Sequence, residues 1–162
     1  ILMRVLGVDP GSHVTGYGLI ESINGRIKLL EAGIVKLKAK DLIQNRLEKV
    51  YVNLADVIAS YKPDVLVLEK LYTHGQYPTT ASILGHVRGV ICLLCAQKNI
   101  ILAEHSVKRI RKAVTGNGAA TKDQTQRMVA HILNINSSLL TMDASDALAL
   151  ALGYLSLNPD KR

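Results

Sequence analysis

Phenylalanine and tryptophan are both absent from the 162 residues, so six tyrosines carry all the aromatic surface. Stacking on a planar ligand therefore falls to tyrosine. Cysteine is scarce: Cys92 and Cys95 are the only two, and there is no second pair to complete a zinc site. Both lie in one apolar helical stretch and read as small core residues of a reduced protein. His13, His74, His86, His105 and His131 are scattered without a ligand pair at i, i+4, so no zinc is assigned. No uninterrupted apolar run reaches the ~18 residues of a membrane span. Ile1-Leu2-Met3-Arg4 leads straight into a strand pattern, so no signal peptide and no membrane are expected, and the location is read as cytoplasmic. Repeats, low-complexity tracts and linkers are missing too, which predicts a single domain over 1–162. Acid is in deficit, with 13 Asp and Glu against 20 Lys and Arg, a net charge of +7 and pI near 9.5. Hydrophobic residues make up 48%, enough for a sizeable core and against disorder.

The order of elements is legible from periodicity and breakers. Arg4–Asp9 reads as a core strand ended by Pro10-Gly11-Ser12, and Thr15–Glu21 as a second strand. Asn24-Gly25 signals a hairpin into a third strand over Arg26–Leu37. Asp41 is expected to cap a helix running to about Ser60, with Leu42, Leu47, Val50, Leu54, Val57 and Ile58 on its buried face. Val65-Leu66-Val67-Leu68 is a continuous apolar strand ending at Glu69. After a polar loop over Leu71–Pro78, Thr79 or Thr80 is expected to cap a long helix that is apolar on more than one stripe. Such a helix must be covered on several sides, and a homodimer interface is the first explanation. A strand at Ile100–Glu104 follows, then a basic helix capped by Ser106, a break at Gly116-Asn117-Gly118, and a helix capped by Thr121 that runs from Lys122 to about Leu133. Asn134–Thr141 reads as a loop and Asp143–Leu157 as the last helix. Strands first, then strands alternating with helices, predict an α/β protein. Its mixed five-stranded sheet has an antiparallel meander followed by parallel strands, flanked by helices.

The few acids are placed unusually. Asp9 and Glu69 each end an apolar strand, and Asp143 and Asp146 share a face at the start of the apolar helix Ala147-Leu148-Ala149-Leu150-Ala151-Leu152. Turn capping explains Asp9 taken alone, and the helix dipole explains Asp143 and Asp146, with Asp143 as a possible cap. Those separate explanations do not account for all of them standing where core elements stop. Carboxylates delivered from separate segments form a cage for hard divalent cations such as Mg²⁺. Two such ions can clamp the attacking and leaving oxygens of a phosphodiester. The basic residues cluster as well: Lys108, Arg109, Arg111, Lys112, Lys122 and Arg127 stand against Asp123 alone. A local basic block suits a phosphate backbone. Thr121-Lys122 adds a helix N-terminus fit for an anion, and Tyr72 in the loop after Glu69 can stack on an unpaired base. An acidic centre on a basic body points to a metal-dependent nuclease.

Seen together, these segments resemble the RuvC family of Holliday junction resolvases nearly end to end. The resemblance is carried by Met3–Gly11 (MRVLGVDPG) with Thr15-Gly16-Tyr17-Gly18, Val67-Leu68-Glu69 and Gly85–Val90 (GHVRGV). It continues in Val114–Gly118 (VTGNG), Thr121–Val129 (TKDQTQRMV) and Asp143–Ala149 (DASDALA). It implies an RNase H-like fold with Asp9, Glu69, Asp143 and Asp146 as catalytic, metal-binding acids. It further implies a Mg²⁺-dependent endodeoxyribonuclease with two ions per active site, Mn²⁺ being the alternative ion. The enzyme would be a homodimer that resolves four-way junctions in homologous recombination and DNA repair. Its paired symmetric nicks would leave 5′-phosphates, and it would work with a branch-migration complex of RuvA and RuvB proteins. Tyr72 stands at the family's junction-opening aromatic position, and Arg111 and Lys122 at DNA-contacting positions. Lys108 and Lys112 extend that basic set. Leu71–Ser82 (LYTHGQYPTTAS) departs from the family's usual run and is about one residue longer.

The mechanism that follows is two-metal hydrolysis, with Asp9 bridging both ions and Glu69, Asp143 and Asp146 completing their shells. Three other readings share parts of the pattern. An RNase H-like nuclease acting on RNA would lack a use for the basic helix and the dimer-like helix. An actin-like or sugar-kinase-like ATPase also opens with an acid-and-glycine turn after a strand, but needs a second phosphate-binding turn. A non-catalytic junction binder gains nothing from acids facing phosphate.

Overall fold

In the computed structural model, which describes residues 1–71 and 77–161, the chain opens as an antiparallel meander. Strands β1 (Leu2–Asp9), β2 (Val14–Ile23) and β3 (Arg26–Lys36) lead into α1 (Ile43–Tyr61), β4 (Val65–Glu69) and α2 (Pro78–Lys98). There follow β5 (Ile101–His105), α3 (Val107–Thr115), α4 (Lys122–Leu133) and α5 (Met142–Leu157), with a 3₁₀ turn at Ser137–Leu139 inside the expected last loop. The sheet order is β3-β2-β1-β4-β5, with β1 antiparallel to β2 and parallel to β4, and β4 parallel to β5. This is the predicted mixed sheet. Asn24 and Gly25 both take positive φ (49° and 82°), the pairing that a tight hairpin turn requires.

Alternation along the strands sorts their side chains onto two cores. Val5, Val65 and Val67 pack with Ile110, Val129 and the buried face of α5, whereas Leu6, Val8, Leu66 and Leu68 pack against α1 and α2. Residues two apart share a face. Asp9 therefore follows Val5 and Gly7, and Glu69 follows Val65 and Val67, onto the α5 side. The approach of α5 is close. A Cβ on Gly7 would fall 1.9 Å from the Ala147 carbonyl oxygen, so only glycine lets the helix lie against β1.

Helix starts agree with the sequence at three places and differ at three. Ser106 accepts from the Arg109 N–H, Thr121 and Gln124 form a reciprocal capping box, and α5 begins at the expected place. Its cap is Thr141, which accepts from the Ala144 N–H, leaving Asp143 in the first turn instead of at the cap. Asp41 does not cap α1: the N-cap is Leu42, whose side chain is 62% exposed and not on the buried face. Arg46 occupies that face instead. Neither Thr79 nor Thr80 caps α2, which starts a turn earlier at Pro78 behind Tyr77, with proline fitting the first helical position.

α2 packs one side on the sheet and leaves the other open. It is long and apolar enough by composition to cross a membrane, yet Val87, Ile91, Leu94 and Cys95 pack it onto the sheet. Its Arg88 donates to the Glu69 carbonyl and pairs with Glu104. On the outer side Gly85, Gly89 and Ala96 are exposed, and Leu93 is 54% exposed.

Candidate active site

Parallel pairing of β1 with β4 brings the C-terminal ends of both strands, and hence Asp9 and Glu69, side by side. α5 then delivers its own acids to the same end. Asp9 pairs with Gly16 on β2, and a Cβ on Gly16 would lie 2.1 Å from the Asp143 carbonyl oxygen. The start of α5 thus sits over the strand next to Asp9. One turn on, Asp146 joins Asp9 and Glu69 in lining a cavity of about 180 Å³, whose lining also includes Arg111, Lys122 and Thr125. Asp9 and Glu69 also line a second cavity of about 200 Å³ with Pro10, Leu84 and Arg88. All of the sequence-predicted acids therefore meet at one end of the sheet, though Asp143 does not line the central cavity.

Electrostatics express the crowding. The Asp9 carboxyl is pushed up to about 7, first by burial and then by the charges of Asp146, Glu69 and Asp143, against the pull of Lys122. Glu69 is also raised, by burial and by Asp146, while Lys122, Arg111 and Arg88 oppose the shift. Lys122 donates to Asp146 at 3.3 Å, although no basic neighbour stands near Asp146 in sequence.

Of the predicted DNA contacts, Arg111 and Lys122 reach the cavity, from α3 and from the first residue of α4. Lys108 and Lys112 are exposed on α3 outside its lining. Tyr72 lies outside the described residues. Arg88 was not singled out from the sequence as a site residue. The available signal was a lone guanidinium in an otherwise apolar helix, which has to find acceptors.

Among the described residues, no three His, Cys, Asp or Glu side chains already converge on one ligating point. The donor set nevertheless fits a hard divalent cation. It offers carboxylate oxygen alone, and burial together with mutual repulsion raises the Asp9 carboxyl to about 7. A cation here would displace the Asp9 proton and relieve the repulsion. Asp9, Glu69 and Asp146, with Asp143 one turn earlier on α5, are the residues that could hold it.

Comparison with known proteins agrees with this geometry. The family model described as crossover junction endodeoxyribonuclease RuvC matches residues 5–154. The crossover junction endodeoxyribonuclease RuvC of Rhodopirellula baltica is 40% identical over 157 residues, covering 96% of this chain and 88% of that one. Thermus thermophilus RuvC superposes with a TM-score of 0.88 at 22% identity, covering 98% of this chain and 96% of that one. The same Thermus protein bound to a Holliday junction substrate gives 0.88 at 23% identity over 96% of each chain. The architecture is accordingly RNase H-like. With the sheet, the converging acids and a match across nearly its whole length, the chain belongs to the RuvC family of crossover junction endodeoxyribonucleases.

Proposed function

We propose that this chain is a structure-selective, divalent-metal-dependent endodeoxyribonuclease. It resolves four-way DNA junctions by paired symmetric nicks with 5′-phosphate ends, during recombination and repair in the cytoplasm. The observation that carries the reading is the acidic cavity at the ends of β1, β4 and α5, faced by Arg111 and Lys122. Acids that can hold a cation and basic groups in the same cavity suit a phosphodiester. Asp9, Glu69, Asp143 and Asp146 hold Mg²⁺, two ions per site with Mn²⁺ as the alternative. When bound, the ions supply charge that polarises the phosphate and lowers the pKa of water. Lys122, paired with Asp146 in the same cavity, would be available to a phosphate oxygen once a cation neutralised the acids. Arg111 neutralises the same backbone, and Lys108, Lys112 and the stacking Tyr72 extend the contact along the DNA.

Two like-polarity nicks need two sites, and the open side of α2 supplies the means. Nothing approaches the Cβ positions of Gly85 and Gly89, and Leu93 stands exposed one turn further on. A second copy of α2 fits this smooth apolar stripe and places two cavities on one junction. Membership of the family also supports cooperation with a RuvA–RuvB branch-migration complex.

Asp9→Asn is the direct test. Junction binding in EDTA should stay within about threefold of wild type, while cutting in Mg²⁺ should fall by at least about 10³-fold, near 4 kcal/mol. Loss of binding together with cutting would make Asp9 a structural carboxylate.

A further inference from the structure

A cation is buried on the opposite side of the sheet from the acidic cavity. Arg46, on α1, is 7% exposed and forms no ion pair among the described residues. Its Nη2 donates to the Ser12 carbonyl, and its Nε is buried without a hydrogen-bond partner. Residues 72–76 contain no Asp or Glu to neutralise it. Burying a guanidinium with neither a carboxylate nor a full set of acceptors is costly, so an anion is the missing partner.

The surroundings suit one. Arg46 lines a groove of about 720 Å³ between the first turns of α1 and α2, with Thr79, Ser82 and His86 on the α2 wall. Both helices begin there without a side-chain cap and without an acid in the first turn, so unpaired N–H groups and two positive dipole ends meet at the groove. Asp41 is the one acid on its wall. Topology fixes which end of the molecule this is. β3 runs in the direction of β1, and Lys36 at its end pairs with Val14, just after the turn that follows Asp9. α2 follows the end of β4. The groove therefore opens at the same end of the sheet as Asp9 and Glu69, beside the Ser12 carbonyl that Arg46 holds.

We infer that this groove is a second phosphate site, taking a DNA backbone phosphate remote from the one being cut, with Arg46, Thr79 and the two helix N-termini as its donors. The inference rests on the reading of the protein as a junction nuclease. It gives each protomer a second grip on an outgoing arm.

Thr79→Glu tests it without endangering the fold, because an acid in the first turn favours the helix. Fluorescence anisotropy with a four-way junction in EDTA, across a salt series, should show about tenfold weaker binding. The salt slope should fall by about one phosphate equivalent. Asp41→Asn should shift affinity the other way by about twofold to threefold. Unchanged affinity and slope in Thr79→Glu, with wild type binding the junction normally, would overturn the inference and leave the nuclease reading intact. A separate arm needs no DNA: on titration with inorganic phosphate, the Arg46 Nε–H resonance should shift in wild type and not in Thr79→Glu. A resonance that stays still in wild type would overturn the site, whereas its shift in a protein that ignores junctions would retain the site and remove the nuclease reading. Arg46→Gln that loses cutting but keeps wild-type affinity and slope would reduce Arg46 to a positioning residue for the turn after Asp9.

Discussion

The two faces of the sheet are built on different principles. On the α5 face the strands present valine and glycine, and the helix comes down until backbone nears backbone at Gly7 and Gly16. On the α1–α2 face they present leucine, packing is by large side chains, and the outer side of α2 stays open. Close backbone contact fixes position, which an array of repelling carboxylates requires, since each must be held against the others. Side-chain packing with an open outer stripe is what a helix needs if another surface is to bind there. On the proposed reading, one face serves chemistry and the other serves assembly and grip on DNA.

The difference can be broken from either side. Gly16→Val should have the largest effect: its Cβ would strike the Asp143 carbonyl, displacing α5. Cutting should fall by about a hundredfold or more, with a stability loss of about 1–3 kcal/mol measured by urea unfolding. Leu93→Glu should leave each protomer folded, because the side chain is exposed. It should shift sedimentation to the monomer and convert paired nicks into single ones. Lys122→Ala, on the chemistry face, should weaken junction binding about tenfold and lower the salt slope by about one. Preservation of all these properties in Gly16→Val would show that the close approach of α5 is not what places the acids.

The smallest effect concerns pH. The folded Asp9 carboxyl is raised from 3.8 to about 7, so the folded metal-free protein holds a proton that the unfolded chain releases. The contribution of Asp9 to stability is then greatest at acid pH, declines as pH rises from 3.8 to about 7, and levels off above that. Thermal melts in EDTA should show this decline in wild type and a smaller one, left by the raised Glu69, in Asp9→Asn, making the variant about 1–2 kcal/mol more stable at pH 8. Added Mg²⁺ should raise the wild-type melting temperature above pH 7 and leave the variant nearly unchanged.

Much of this was readable in the sequence because it is local. The caps at Ser106 and Thr121 are hydrogen bonds across three residues, and the Asn24-Gly25 turn is a property of two. The acids could be found because each stands where an apolar run stops. Their convergence depended on parallel pairing of β1 with β4 and on Gly7 and Gly16 admitting α5, and these relations span the chain. The start of α1 departs from the sequence expectation because Asp41 belongs to the preceding turn, its N–H donating to the Lys38 carbonyl, and Leu42 takes the N-cap. Arg46 and Arg88 were passed over because their acceptors, the carbonyls of Ser12 and Glu69, are distant in sequence and carry no residue signature.

The central claim is that the acidic end of the α5 face cuts four-way DNA. It is tested most directly by incubating the protein and Mg²⁺ with a synthetic mobile junction, a linear duplex and an RNA–DNA hybrid of the same sequence, each strand labelled in turn. The account predicts paired nicks at symmetric positions in the junction alone, sealable by ligase and abolished by EDTA. Cutting of the hybrid, or junction binding with no EDTA-sensitive nicks, would contradict it.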